Sequence, residues 1–184
     1  MTTSRIGWLM VCGLVTFQPT PITSQERLVR EAILLDLEET EYKYLELAEA
    51  FGWEHYGWRP MPGVRSVGEV FMHVAAGNIQ FPQLFEQIPI ASVPDSLRRL
   101  PLFTDPAAPA SERLVLEALR ASFENARTAV RTLDDSSESA PVETSGDPVD
   151  VDAVLIRMSH HLHEHLGQLI AYARVNHIVP PWKR

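Results

Sequence analysis

Four of the chain's seven histidines lie within one short stretch, His160 to His165. His161 and His165 are four residues apart and therefore share one face of a helix, while His163 points to the opposite side. Gln168 follows His165 along the same face. An apolar stripe adjoins that face: Val154, Leu155, Met158, Leu162, Leu166 and Leu169. Two inward imidazoles one turn apart can bind one metal cation through their ring nitrogens.

A third metal ligand is available in the segment GEVFMHVAAGN, where His73 stands among apolar residues and is expected to border the core. Gly77 on this segment and Gly167 on the other are predicted to allow close approach between two helices. The spacing leaves two alternatives open. His73 could be a hydrogen-bonded core histidine, and the pair of His161 and His165 could occur by chance.

Four segments with helical periodicity would position these side chains. The first runs from about Ser24 to Phe51. The second begins at Ser66, where Ser66 and Glu69 form a capping box, and is expected to kink or break before Pro82. The third covers about 111–133, and the fourth runs from an N-cap at Asp147 to about 175. No segment alternates like a β-strand, so the sequence predicts an all-α four-helix bundle.

The first 24 residues differ in kind from the rest. Arg5 precedes an apolar run of about twelve residues, which is the length of the central region of a secretory signal. The sequence therefore predicts a signal peptide at 1–24, a mature bundle domain at 25–184, and a periplasmic or secreted protein. A buried N-terminal helix in a cytoplasmic protein and an uncleaved anchor are the alternatives. Once the signal is removed, no stable membrane insertion is expected.

Charge and cysteine content exclude several classes of function. The net charge is −8, and no run of Lys or Arg offsets it, which argues against a nucleic-acid-binding surface. Cys12 is the sole cysteine and lies in the predicted signal peptide. The mature chain would therefore have no disulfide, no cysteine nucleophile and no Cys-type zinc site. Its chemistry would have to use histidines, carboxylates, hydroxyls or a metal.

Three stretches resemble the DinB/YfiT-like superfamily of proposed metalloenzymes. WRPMPGVRSVGEVFMHVAAGN (58–78) is similar to the family's Trp-x-Pro loop and the helix with an inward histidine that follows it. HLHEHLGQLIAYAR (161–174) is similar to the family's His-x-x-x-His-x-Gly-Gln helix, and VNHIVPPW is similar to its Pro-Pro ending. Together with the helix pattern, the likeness covers nearly all of the chain after Glu26.

The resemblance implies a four-helix bundle with one divalent metal ion, often zinc, nickel or iron. It places the ligands at His73, His161 and His165, and it also implies a homodimer. Family activities include transfer and isomerisation reactions with a small thiol cosubstrate. Because small thiols are scarce and oxidised outside the cytoplasm, the predicted export argues against that cosubstrate here.

Three neutral imidazoles leave a metal ion at least one open coordination position, which is typical of catalytic sites. The first functional hypothesis is therefore a metal-dependent transferase or hydrolase that acts on a small molecule. Gln168 would hydrogen-bond a ligand or a bound water in a catalytic role, or else form a structural bond between helices. Glu69 would orient His73, or else only cap its helix. The alternative functions are a non-catalytic metal-binding or small-ligand-binding protein of the envelope, and a helical interaction module with a vestigial site.

Overall fold

The computed structural model describes residues 24–85, 111–133, 141–142 and 147–183, without the side chains of 24–27, 85 and 183. The predicted signal peptide therefore lies outside the described residues except for its last position. Across the described ranges the chain forms α-helices and no β-sheet, which confirms the all-α prediction. Among these helices, none is both long enough and apolar enough to cross a membrane.

Four helices build the bundle: α1 (Ser24–Phe51), α2 (Val67–Phe85), α3 (Glu112–Thr132) and α4 (Val151–Val175). Two short 3₁₀ helices, Trp53–His55 and Pro181–Lys183, follow α1 and α4. Both α1 and α2 pack mainly against α3 and α4, so α1 and α2 lie diagonally across the bundle. This arrangement brings α2 and α4, the two helices with the candidate ligands, side by side.

A group of aromatic side chains fills the centre of the bundle. The largest fully buried side chains include Tyr44 from α1, Phe71 from α2 and Phe123 from α3. The Tyr44 ring meets Phe71 edge-on at 6.4 Å between ring centroids, and its hydroxyl donates to the backbone oxygen of Leu162 at 2.6 Å. The apolar body of Tyr44 thus packs in the core while its hydroxyl finds an acceptor on α4.

The start of α2 agrees with the prediction from its sequence, and the break that was one of the two alternatives before Pro82 does not occur. The Glu69 carboxylate accepts from the Ser66 backbone N–H at 2.7 Å, and the Ser66 hydroxyl accepts from the Glu69 N–H at 3.3 Å, which confirms the capping box. The helix then continues through Pro82 to Phe85 instead of breaking. Proline has no N–H to donate to the carbonyl of Asn78, four residues earlier. The Asn125 amide of α3 donates to that carbonyl instead, at 3.2 Å.

The fourth helix begins later than the sequence predicted. Its N-cap is Asp150 and not Asp147, and its first residue is Val151. The reason lies in Val149, which forms an isolated antiparallel bridge with Val142 through two backbone hydrogen bonds of 2.8 and 3.1 Å. This pairing holds Val149 in an extended conformation, so that the helix can begin only after it.

Candidate metal centre

Three imidazoles converge between α2 and α4. His73 comes from α2, and His161 and His165 come from successive turns of α4. One ring nitrogen from each histidine lies within 4.8 Å of the other two, as donors to one metal ion would. The Nε2 atoms of His73 and His161 face each other at 3.2 Å. The structure therefore brings together the three histidines that the sequence singled out.

Close helix packing makes this convergence possible. The His161 ring lies over Gly77 of α2, and a Cβ atom built on Gly77 would be only 2.5 Å from His161 Cε1. Any larger residue at position 77 would displace the imidazole, so the predicted role of Gly77 is confirmed. The same prediction for Gly167 is wrong, because a Cβ there would meet no atom within 4 Å. Gly167 is exposed to solvent instead of facing another helix.

A chain of hydrogen bonds fixes the orientation of His165. Its Nδ1 lies 2.9 Å from the Gln168 side-chain oxygen, which can only accept, so this nitrogen bears the proton and Nε2 keeps its lone pair. The Gln168 amide donates to the Tyr172 hydroxyl at 2.8 Å. That hydroxyl in turn donates to the backbone oxygen of Arg65 at 3.3 Å. The chain links a candidate ligand to the loop that precedes α2.

Electrostatics keep two of the three imidazoles uncharged. Burial, together with the positive charge of Arg65, lowers the pKa of His73 to about 4, while Glu164 acts weakly in the opposite direction. Burial likewise lowers the pKa of His161 to about 4, with contributions from His165 and Arg65. Both rings are therefore neutral near pH 7, the form in which imidazole binds a metal.

The donor set fits a metal ion. Two neutral imidazoles face each other through Nε2 atoms, and at most one of these atoms can carry a proton between them. The other ring nitrogen of His161, Nδ1, is buried and has no hydrogen-bond partner within the described ranges. A cation at the point where the Nε2 atoms meet would satisfy their lone pairs together with that of His165.

The three histidines differ in their exposure to solvent. His165 is 9% exposed, whereas His73 and His161 are only half-buried. Phe81 packs against His161 with ring centroids 5.4 Å apart, and Trp58 packs edge-on against Tyr172 at 5.3 Å. Trp58, Phe81 and the exposed Arg65 are here called the rim of the site.

Other histidines and acids noted in the sequence lie elsewhere. His163 is exposed and sits on the opposite side of α4, where its Nε2 lies 2.7 Å from Asp36 Oδ1 of α1. Ser159 donates to the other oxygen of Asp36 at 2.7 Å, so this group ties α1 to α4. Glu69 accepts from Ser66 and forms an ion pair with Arg59 at 3.0 Å. Its interactions are those of the capping box and of the loop before α2.

Two residues that lie near the site, Tyr172 and Arg65, were not selected in the sequence analysis. Tyr172 follows Gln168 by four residues, so its place on the same helix face could have been recognised from spacing. Arg65 could not have been, because it lies in a loop whose course depends on the packing of Trp58 and Tyr172. Gln168 lies beside His165 as the spacing indicated. Its catalytic role stays a prediction, since both of its polar atoms contact protein groups.

Comparisons with known proteins agree with this architecture. The model of the DinB superfamily matches residues 36–169, a segment that contains all three histidines. The fold is similar to the crystal structure of a DinB-like protein from Bacillus subtilis, with a TM-score of 0.59 and 17% sequence identity. That likeness covers 78% of this chain and 90% of the Bacillus chain. No curated protein matches the sequence. The family resemblance inferred from the sequence motifs is thus confirmed.

Proposed function

Since the chain belongs to the DinB superfamily, we propose that His73, His161 and His165 bind one divalent metal ion and form the centre of an enzyme. The enzyme would act on a small molecule by transfer or hydrolysis, with zinc, nickel or iron as its metal. The observation that carries this proposal is the convergence of three ring nitrogens from two helices within 4.8 Å. Export, which the sequence predicts, and homodimerisation, which the family resemblance implies, are proposed alongside it.

The chemistry follows from the donor set. A divalent ion held by three neutral imidazoles keeps its full charge and an open position, and can act as a Lewis acid or lower the pKa of a bound water. Imidazole ligands alone do not select among zinc, nickel and iron. The half-buried sides of His73 and His161 leave that position accessible to a small molecule from the rim.

The surrounding residues hold the ligands in place. The Gln168 oxygen accepts a hydrogen bond from the Nδ1–H of His165 and so keeps the Nε2 lone pair directed at the other two histidines. Such outer partners fix the tautomer and the ring orientation of a ligating histidine. Gly77 gives His161 the space to lie against α2. Phe81 and Trp58 supply apolar surface beside the site and limit the access of water.

Metal content of the purified protein tests the proposal. We expect close to one metal ion per chain by elemental mass spectrometry, and almost none in a His161→Ala/His165→Ala variant. His163→Ala is the matched control, because His163 lies on the same helix but points away from the site and contacts Asp36. This control should retain its metal. Absence of metal from the parent after incubation with zinc, nickel and iron would overturn the proposal.

Catalysis is tested separately from binding. A metal-dependent enzyme loses turnover of its substrate in a chelator and regains it with one particular metal. A protein that retains its metal tightly but shows no turnover against a broad set of esters, amides and thiols would instead be a non-catalytic metal-binding protein. The chelation experiment therefore separates the first functional hypothesis from its main alternative.

A further inference from the structure

Arg65 places a positive charge beside the candidate metal centre. Its backbone oxygen accepts from Tyr172, which Gln168 connects to His165. The guanidinium is near enough to lower the pKa values of both His73 and His161. Arg65 thus lies at the rim, with its backbone fixed to the site and its side chain exposed to solvent.

The charge of Arg65 is available for a ligand. Within the ranges that the structure describes, its guanidinium has no carboxylate or hydrogen-bond partner. Arg59, in the same loop, differs: it bonds Glu69 at 3.0 Å and the backbone oxygen of Val64 at 3.0 Å. Arg59 therefore supports the loop, whereas among the described residues Arg65 forms a hydrogen bond only through its backbone oxygen.

A free cation at this position is significant in a protein of net charge −8, which repels anions from most of its surface. One carboxylate, Glu164, also acts on His73, but its effect on that residue is smaller than the effect of Arg65. Guanidinium groups bind carboxylate and phosphoryl oxygens through two parallel N–H bonds.

We propose that the small-molecule substrate carries an anionic group, a carboxylate or a phosphoryl, that Arg65 binds at the rim. Phe81 packs against His161 and Trp58 packs against Tyr172, and these apolar rings suit an organic anion with an apolar body. Arg65 would then set substrate specificity and orient the molecule toward His73, His161 and His165. This inference rests on the proposed function, because it assigns a substrate class to the same site.

Substitution of Arg65 is a suitable test because, within the described residues, its side chain forms no hydrogen bond or ion pair. The hydrogen bond from Tyr172 goes to the backbone oxygen and persists with any side chain. We would compare the parent with Arg65→Gln and Arg65→Lys, and use Arg131→Gln, in the last turn of α3, as the matched control. Metal content is measured first for all four proteins and should be the same.

Binding is measured by calorimetry on the metal-loaded proteins with three probes: phenylacetate, phenylphosphonate and the neutral phenylacetamide. We expect the parent to bind at least one anion with a Kd below about 10 mM and phenylacetamide at least tenfold more weakly. Arg65→Gln should weaken anion binding about tenfold or more. Arg65→Lys should weaken it less, because lysine keeps the positive charge but cannot form two parallel N–H hydrogen bonds to the anion. The anion whose affinity falls more when Arg65 is replaced shows whether the substrate carries a carboxylate or a phosphoryl group.

Several outcomes would overturn the inference. Anion binding unchanged in Arg65→Gln would mean that the anion contacts the metal alone. Equal affinity for phenylacetate and phenylacetamide would show that charge is not recognised, and no binding of either anion to the parent would exclude the site. Loss of metal from the parent is a failure of the proposed function and not of this inference. In that case the same titrations on the metal-free protein still test whether Arg65 binds anions.

Discussion

Gln168 shows how a single polar side chain can determine which ring nitrogen of a histidine keeps its lone pair. An imidazole has two nitrogens, and the partner of one decides which lone pair remains on the other. In this bundle the Gln168 oxygen accepts a hydrogen bond from the Nδ1–H of His165, and the Gln168 amide donates to the Tyr172 hydroxyl. The residue therefore acts on the candidate metal centre through His165, and we regard it as a positioning residue.

Replacing this acceptor should weaken metal binding without unfolding the bundle. Gln168→Leu removes the partner of His165 Nδ1, and loss of such a partner typically lowers metal affinity about 10-fold to 100-fold. Competition with a zinc chelator of known affinity would measure the change. Gln168→Glu is the conservative control: it keeps an acceptor for Nδ1 and should bind zinc at least as tightly as the parent. Equal weakening in both variants would contradict a positioning role and indicate that general packing is responsible.

At the scale of single residues, sequence spacing predicted the positions of some residues of the candidate site and not of others. The four-residue interval between His161 and His165 sufficed to place both on one face, because helix geometry fixes that relation locally. His73 was a candidate ligand because it stands among apolar residues, but its place beside His161 and His165 required the pairing of two helices, which the family resemblance supplied. The role of Arg65 depends on the path of a loop through tertiary contacts, and no local pattern in the sequence specifies such a path.

Among the elements, α2 contains the clearest conflict between a local rule and the folded structure. Proline inside a helix removes one backbone hydrogen bond and leaves a carbonyl without its donor. In α2 that carbonyl belongs to Asn78, and the side chain of Asn125 on α3 supplies the replacement donor. Because the compensation comes from another helix, a sequence rule confined to α2 could only predict a kink or a break before Pro82.

This compensation can be measured with a double-mutant cycle. Asn125→Ala leaves the Asn78 carbonyl without a protein donor and should lower the free energy of unfolding by about 1 to 2 kcal/mol. In a Pro82→Ala background the helix N–H returns to that carbonyl, so the same substitution should cost clearly less. Urea denaturation of the four proteins gives the coupling energy. Equal cost of Asn125→Ala in both backgrounds would show that the amide does not replace the missing donor.

The helix boundaries were predicted correctly where residues close in the sequence determine them. The bounds of α1 match the predicted range, and α3 begins after Ser111, whose hydroxyl accepts from the Leu114 N–H at 3.3 Å. The start of α4 was misplaced because Val149 pairs with Val142 across a connection of several residues. A capping residue signals where a helix can begin, but a competing backbone partner decides where it does begin.

At the scale of the whole molecule, the histidine site makes the free energy of unfolding depend on pH. His73 and His161 have folded-state pKa values of about 4, and an unfolded histidine has a pKa of about 6.5. Between these values the unfolded chain binds more protons than the folded one, so the free energy of unfolding falls as the pH falls. The contribution of these residues is fully present above about pH 6.5 and is lost as the pH drops toward 4.

The prediction concerns the metal-free protein, kept in a chelator. We expect the free energy of unfolding to fall more between pH 7.5 and 4.5 in the parent than in a His73→Gln/His161→Gln variant, because glutamine does not titrate. Since both imidazoles are half exposed and screened by solvent, the expected difference is about 1 kcal/mol per residue. Urea unfolding at the two pH values measures it, and the carboxylates common to both chains cancel in the comparison. An equal fall in parent and variant would mean that both histidines protonate freely within the folded bundle, and that burial between α2 and α4 does not keep them neutral for a metal.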